Sequence, residues 1–400
     1  MKFIINSISN YKVILVIILL FAIFASFQSL VQKKKPFNEE GIQYTNYNNY
    51  IIFKQSFAHL AENKDLYKLY PEEQWDLYKY SPAFSLFFGI FAIFPDVIGL
   101  NLWNILNALL LMFAIYYLPK LSVTQKGLIL VVCLIELMTS MQNEQSNGMV
   151  AGLLILAFGL LEKRHYVTAT FCIVFSIFIK LFGIVGLALF LFYPKKWKLA
   201  LYTIGWTIVL FFIPLVMVDF SQLKFLYSSW GQLLKEDHSV SYGFSVMGWI
   251  NAWFGVDINK TFVALAGAVA FLIPLMRIKL YGNYMFRILT LCSVLIWVII
   301  FNHKAESPTF IIAMAGVAIW FVSGKNSTLN SILFGLAFVF TSLSPTDIFP
   351  RSIRETVVIP YSLKVFPCIL IWVKIIYDMI VMKNDATVHN DIAMNEISTQ

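Results

Sequence analysis

The stretch VILVIILLFAIFASFQSL, Val13 to Leu30, carries no charged residue. At about 1.5 Å of rise per residue, a helix of this length approaches the depth of a ~30 Å hydrocarbon core. Lys2 and Lys12 precede it, which is also how a secretory signal peptide begins. The run is longer than a typical signal core and no Ala-x-Ala-like step follows, so it reads as a retained first transmembrane helix.

Apolar spans of the same kind recur near 99–118, 127–140, 148–162, 165–179, 181–193 and 198–218, and again near 258–276, 284–301, 307–323, 328–342 and 357–381. The sequence therefore predicts an all-α, polytopic integral membrane protein with about twelve transmembrane helices. Lys180 marks a tight hairpin between two of the spans. Composition agrees: 59% of the 400 residues are hydrophobic and 13% are charged, against about a quarter charged in a soluble domain. Disordered, collagenous and disulfide-rich secreted classes are excluded by the same numbers. The net charge of +8 comes from basic residues between apolar spans, with no Lys/Arg run of nucleic-acid-binding length. Cys133, Cys172, Cys292 and Cys368 each lie inside an apolar run and read as buried free thiols. No CxxC, HExxH or phosphate-loop motif is present, and no cofactor or metal is expected.

Whether the apolar stretch Ser81–Phe94 crosses the membrane decides the topology. If it lies as a juxtamembrane helix, the cytoplasmic side holds Lys120, Lys126, Lys163, Arg164, Lys195, Lys196, Lys198, Arg277, Lys279, Arg287, Lys325 and Lys383. The opposite short loops then hold only Lys180, Lys304, Arg351 and Arg354. The positive-inside rule favours this arrangement, with both termini cytoplasmic; Lys33, Lys34 and Lys35 dissent, on a long loop where the rule weakens. One integral membrane domain is expected over 1–383, with outer loops at 33–98 and 219–257 and a disordered cytoplasmic tail at 384–400.

Both outer loops carry helical periodicity. Tyr50, Phe53, Phe57 and Leu60 share a face, with Asn46, Asn48 and Asn49 as N-cap candidates. Leu223, Leu226, Trp230 and Leu233 form a second such face, and Val246, Ile250, Trp253 and Phe254 a third. These read as extracytoplasmic juxtamembrane helices.

Four polar clusters fall on the outer face: Asn48–Tyr67, Lys79-Tyr80-Ser81-Pro82, Gln142–Asn147 joined by Lys180, and Asn302–Pro308. Each has a plain reading. Lys180 can snorkel, Lys304 and Glu306 can pair, His303 can cap, Glu144 can be a solvated loop charge, and Asp65, Glu72, Glu73 and Asp76 can form a solvated face. Their coincidence on one face argues for a site. Lysines neutralise phosphate, the amides of Asn143, Gln145 and Asn147 bond sugar hydroxyls, and a carboxylate accepts a proton from an attacking hydroxyl. Residue types alone suit a polar solute path equally well.

Four short motifs follow one another in order: Asn49-Tyr50-Ile51-Ile52-Phe53, Lys64-Asp65-Leu66-Tyr67, Tyr80-Ser81-Pro82-Ala83-Phe84 and Leu102-Trp103-Asn104-Ile105-Leu106-Asn107. In order and spacing they resemble glycosyltransferase family 87 of the C-type membrane glycosyltransferases, which opens its first outer loop with Asp-Phe-x-x-Tyr, followed by Gly-Asp-x-Tyr-like, Tyr-Pro-Pro-Leu-like and Leu-Trp-x-x-Leu-Asn steps. Gln142–Asn147, Phe178–Phe182 and Ser307-Pro308-Thr309 resemble later family elements. The resemblance implies inverting transfer of a hexose, often mannose, from a polyprenyl-phosphate donor to an outward-facing lipid or glycan acceptor. It implies an outer-loop aspartate as base, and a cell membrane location. Asn49 stands where that aspartate is expected, so Glu306 and Glu144 become the candidate catalytic carboxylates, with Glu39 and Glu40 as further ones. Lys180, Asn143, Gln145, Asn147, His303, Lys304 and Tyr80 are the candidate substrate-binding residues. A transporter or flippase of lipid-linked sugars, and a non-catalytic subunit of the same fold, are the competing readings. The polar clusters on one face and the absence of paired halves weigh against the transporter.

Overall fold

The computed structural model describes residues 7–36, 42–236, 241–325 and 327–384. Glu39, Glu40 and the tail from 385 onward lie outside the described residues. Among the described residues the secondary structure is helical apart from a two-residue antiparallel pair, Lys35–Pro36 with Gln43–Tyr44. It divides into two compact units, Met1–Ile184 with Trp197–Val240, and Val185–Lys196 with Ser241–Gln400.

The first unit holds α1 (Tyr11–Val31), α2 (Asn48–Ala61), α3 (Pro82–Ala92), α4 (Asp96–Tyr117), α5 (Val123–Gln142), α6 (Asn147–Glu162) and α7 (Tyr166–Ile179). A 3-10 segment, Leu181–Phe192, leads to α8 (Lys196–Phe212) and α9 (Phe220–Glu236). Helix α6 is the core: every residue from Asn147 to Leu161 is buried, as expected of a helix apolar all round. It packs chiefly on α4 and α7, while α1 lies against α4 and α5. The segment between α1 and α4 is built on aromatic rings. Phe53 of α2 meets Tyr80, Phe84, Phe88 and Trp103 edge-to-face, with centroids 4.9, 5.3, 5.2 and 5.9 Å apart. A Cβ on Gly99 would fall on the Tyr50 hydroxyl and the Phe91 carbonyl, so only glycine admits this approach of α2 to α4.

The second unit holds α10 (Val246–Phe254), α11 (Lys260–Leu275), α12 (Tyr284–Ile300), α13 (Phe310–Ser323), α14 (Thr328–Leu336) and α15 (Phe366–Val381). Helices α12 and α13 form its buried hairpin. Helix α15 packs on α12, where the Trp372 indole donates to Ser293 Oγ at 2.9 Å. Helix α14 runs on into a π-helical turn, Ala337–Leu343.

Among the described residues, four helices are long and apolar enough to cross a membrane: Tyr11–Val31, Asp96–Tyr117, Val123–Gln142 and Lys196–Val216. The other expected spans are met by apolar helices of 10–17 residues, so length alone carries four crossings and not twelve. Helix α3 has 11 residues, a rise of about 16 Å and roughly half a hydrocarbon core. The expected span at 357–381 is shorter than read: its helix begins at Phe366, after turns that include Pro360 and Ser362 at φ 48°. The expected asparagine N-caps of α2 also differ. The cap is Tyr47, without a side-chain bond, and Asn48 and Asn49 lie inside the first turn. By contrast, Ser81 does cap α3: its Oγ accepts the Phe84 N–H at 3.2 Å, with proline at the start of the helix.

Candidate active site

The site in the first unit is organised by the turn between α5 and α6. Helix α5 ends in a Schellman motif, in which Gln145 N–H bonds Ser140 C=O and Glu144 N–H bonds Met141 C=O, both at 3.1 Å. Glu144 takes the left-handed position that glycine usually fills, at φ 49°. A side chain there costs about 1–2 kcal/mol, and contacts from two other helices hold it in place. Ser29 Oγ of α1 donates to Glu144 Oε1 at 2.8 Å, and the Trp103 indole of α4 donates to Glu144 C=O at 2.7 Å. The Glu144 side chain is 1% exposed, not the solvated loop charge of the plain reading. Burial pushes its carboxyl well above the ordinary range, against the Ser29 hydrogen bond, and so favours the neutral acid.

The same turn is tied down from α4. Asn104 Nδ2 donates to Met141 C=O at 3.2 Å and to Ser26 Oγ at 2.9 Å, while Asn107 Oδ1 accepts the Met149 N–H at 2.9 Å. From α2, Asn49 Nδ2 donates to Asn143 C=O at 2.8 Å. The amino ends of α2 and α6 therefore flank one turn, and helix N-termini carry partial positive charge.

Lys180 follows the end of α7 in extended conformation, φ −141° and ψ 120°. Its Nζ donates to Asn147 Oδ1 at 2.6 Å and lies 3.5 Å from Gln145 Oε1. Asn147 Nδ2 donates in turn to Gln145 Oε1 at 2.7 Å. The two amide oxygens orient the ammonium, and Asn147 opens α6. The Tyr80 and Phe182 rings stand 5.8 and 5.9 Å from Nζ. Tyr80 is fixed by Tyr67 Oη, which donates to its carbonyl at 3.0 Å, and by stacking on Phe84 at 4.9 Å. Ser81 Oγ donates to Phe178 C=O at 2.6 Å, binding this step to the end of α7. A half-buried ammonium beside a helix N-terminus, with amides and an aromatic ring around it, is chemistry for an anionic headgroup carrying hydroxyls.

The structure thus brings together Asn49, Tyr80, Asn143, Gln145, Asn147 and Lys180, with Glu144 buried beneath them. His303, Lys304 and Glu306 belong to the second unit, on the loop between α12 and α13. There Lys304 N–H bonds Asn302 Oδ1 at 3.0 Å, and the Thr309 hydroxyl donates to Glu306 C=O at 2.7 Å. Phe244 N–H bonds Ala305 C=O at 2.9 Å. Gly243, at φ 53°, makes that approach possible; a Cβ would sit 2.7 Å from the His303 carbonyl oxygen. The Glu306 side chain is exposed.

Some participants were not legible as such. Ser29 is a polar residue in an apolar helix, and its only sequence signal is that incongruity; Asn104 and Asn107 lie in the Leu102–Asn107 motif, which did not announce the turn they hold. Asp65 is not part of a solvated face: Ser229 Oγ of α9 donates to its two oxygens at 2.9 and 3.0 Å. Lys364, 2% exposed in the second unit, donates to Thr341 C=O at 2.9 Å and lies 4.9 Å from the Phe310 ring, next to Ser307-Pro308-Thr309.

The sequence profile of glycosyltransferase family 87 matches residues 78–301. This chain belongs to glycosyltransferase family 87. No curated protein matches it. The family 87 match contains Tyr80, the Gln142–Asn147 turn and Lys180, whereas Asn49, His303, Lys304 and Glu306 lie outside it. Family 87 membership and the apolar helices together make the protein a membrane glycosyltransferase.

Proposed function

We infer that this protein transfers a hexose, with mannose the sugar the family resemblance favours, from a polyprenyl-phosphate donor to a lipid or glycan acceptor at the extracytoplasmic face of the cell membrane. The observation that carries this reading is Lys180, held by Asn147 and Gln145 at the amino end of α6. In the proposed reaction the acceptor oxygen attacks the anomeric carbon opposite the phosphate. The bond from that carbon to the phosphate oxygen breaks, and the electron pair leaves with the phosphate. Lys180 and the α6 N-terminus stabilise the negative charge that develops there. Asn143 and Gln145 contact sugar hydroxyls, Tyr80 offers a ring face beside them, and His303 and Lys304 contribute polar contacts to substrate. The acceptor proton goes to a carboxylate. Glu306 is assigned that role as an exposed carboxylate; Glu144, favoured neutral by burial, is assigned to holding the turn. Asn49 orients the turn through Asn143 and takes no proton.

The test uses the purified protein in lipid nanodiscs with radiolabelled polyprenyl-phosphate hexoses and a membrane-lipid extract as acceptor. Lys180→Ala is expected to lower transfer at least about a hundredfold, the scale of a lost charge contact to a leaving group, and Glu306→Gln to lower kcat with the donor KM retained. Undiminished transfer by Lys180→Ala sinks the phosphate assignment. Binding of the donor by wild type without transfer to any acceptor moves the reading to a flippase or a non-catalytic subunit.

A further inference from the structure

The strand-to-helix step that opens α2 holds a group of polar atoms without internal partners. Asn48 is 1% exposed, yet neither its Nδ2 nor its Oδ1 has a hydrogen-bond partner. Thr45 Oγ1 and Asn46 Oδ1, just before it, are buried and unpartnered as well. The N-cap of α2, Tyr47, makes no side-chain bond to the first turn, so the helix's leading N–H groups receive none either. On the neighbouring turn, Ser146 is fully buried with an unpartnered Oγ, although it occupies the N-cap position of α6. Asn49 Nδ2, bonded to Asn143 C=O, ties the two segments together.

Buried polar atoms without partners are few in native proteins, and each destabilises the fold unless something outside the chain satisfies it. Here they cluster beside a family-typical turn, and their chemistry is specific. None of the four side chains carries charge. Asn48 Oδ1 and Asn46 Oδ1 can only accept, so the missing partner must bring O–H or N–H donors, which an ionised phosphodiester lacks. Asn48 Nδ2 can only donate, so the partner must also accept. Hydroxyl groups do both, and adjacent hydroxyls on a sugar ring match the two ends of one carboxamide. Thr45, Asn46 and Asn49, around Asn48, are part-exposed, so the group lies at the edge of the packed unit and not in its centre.

We propose that Asn48, with Thr45, Asn46 and Ser146, forms a subsite for the hydroxyls of a neutral hexose, separate from the charged phosphate end at Lys180. This rests on the glycosyl-transfer reading and divides its substrate into a neutral part and an anionic part on either side of one turn.

The experiment uses the full chain in nanodiscs and three probes: bare polyprenyl phosphate, polyprenyl-phosphate mannose, and a soluble alkyl mannoside standing for an acceptor sugar. Asn48→Leu keeps the side-chain shape and removes both polar ends. It is expected to weaken binding of the mannosylated lipid or the mannoside about fivefold to tenfold, the scale of one or two hydrogen bonds. Binding of bare polyprenyl phosphate stays within about twofold by the same reasoning. Loss confined to the mannosylated lipid assigns the subsite to the donor sugar; loss confined to the mannoside assigns it to the acceptor. Lys180→Ala is expected to give the reverse pattern, weakening both phosphate lipids and sparing the mannoside. The ligand-free melting temperature of Asn48→Leu should hold or rise, because unpartnered polar atoms have been removed. A marked fall in that temperature, or unchanged affinity for both sugar probes, overturns the proposal, and Thr45→Val carries the same expectations at a second position. Wild-type failure to bind either phosphate lipid would instead overturn the phosphate reading, while the mannoside arm still decides the hydroxyl subsite.

Discussion

Glu144 shows how one side chain can resist classification from sequence. In Gln142–Asn147 it reads as an acid among amides, available either to solvent or to a substrate proton. Its backbone lies in the left-handed region and its carboxyl is turned inward onto Ser29. Removing that partner by Ser29→Ala leaves a buried acceptor unpaired and is expected to destabilise the protein by about 1–3 kcal/mol, readable as a lowered melting temperature. The charge itself has a pH signature. Burial raises the folded-state pKa above the ordinary 4.5, so the native state holds a proton that the unfolded chain has lost. The Glu144 contribution to stability is therefore fully present below the ordinary value and is lost as pH rises toward the folded value. Glu144→Gln cannot ionise, so its melting temperature should gain on wild type as pH rises above the ordinary carboxylate value, and parallel curves would show that burial is not what holds the proton.

At the scale of elements, helical periodicity located α2, α9 and α10 within 33–98 and 219–257, because an amphipathic face is written in local spacing. What the faces meet is not local. Helix α9 lies along the segment between α2 and α3: Ser229 holds Asp65, Gln222 Nε2 donates to Lys64 C=O at 3.2 Å, and the Trp230 indole donates to Lys79 C=O at 3.2 Å. Asp65 also accepts the Tyr67 N–H at 3.1 Å, so one carboxylate shapes its own loop and anchors a helix far along the chain. Ser229→Ala is expected to loosen α9 while leaving α2 and α3 intact. Hydrogen exchange should then quicken in Phe220–Glu236 selectively, and uniform quickening would mean the contact supports the whole unit. The α2 cap was misread because three asparagines precede or open the helix, each a good cap by type. Asn49 is drawn away by the Asn143 carbonyl, a partner nothing local announces.

For the whole molecule, hydropathy settles the solvent. Four helices match a hydrocarbon core in length, and the charge asymmetry of the short loops predicts which side each turn faces. The four cysteines are buried, so introduced thiols have a quiet background. Asn143→Cys, at an exposed position, should react with a membrane-impermeant maleimide in intact cells, whereas Lys163→Cys, also exposed, should react only after permeabilisation. The opposite pattern inverts the topology and with it the extracytoplasmic assignment of the site. The sequence by itself determined the all-helical membrane class, the positions of the apolar helices, and the polar turns worth attention, since each depends on residues a few positions apart. Tertiary structure alone decided that Lys180 meets Asn147, that Glu144 is sealed under Ser29 and Trp103, and that Asp65 is held by Ser229. Those pairings join groups on segments well separated along the chain. Burial, which turns a loop acid into a neutral strut or leaves an asparagine without a partner, arises only when the helices pack.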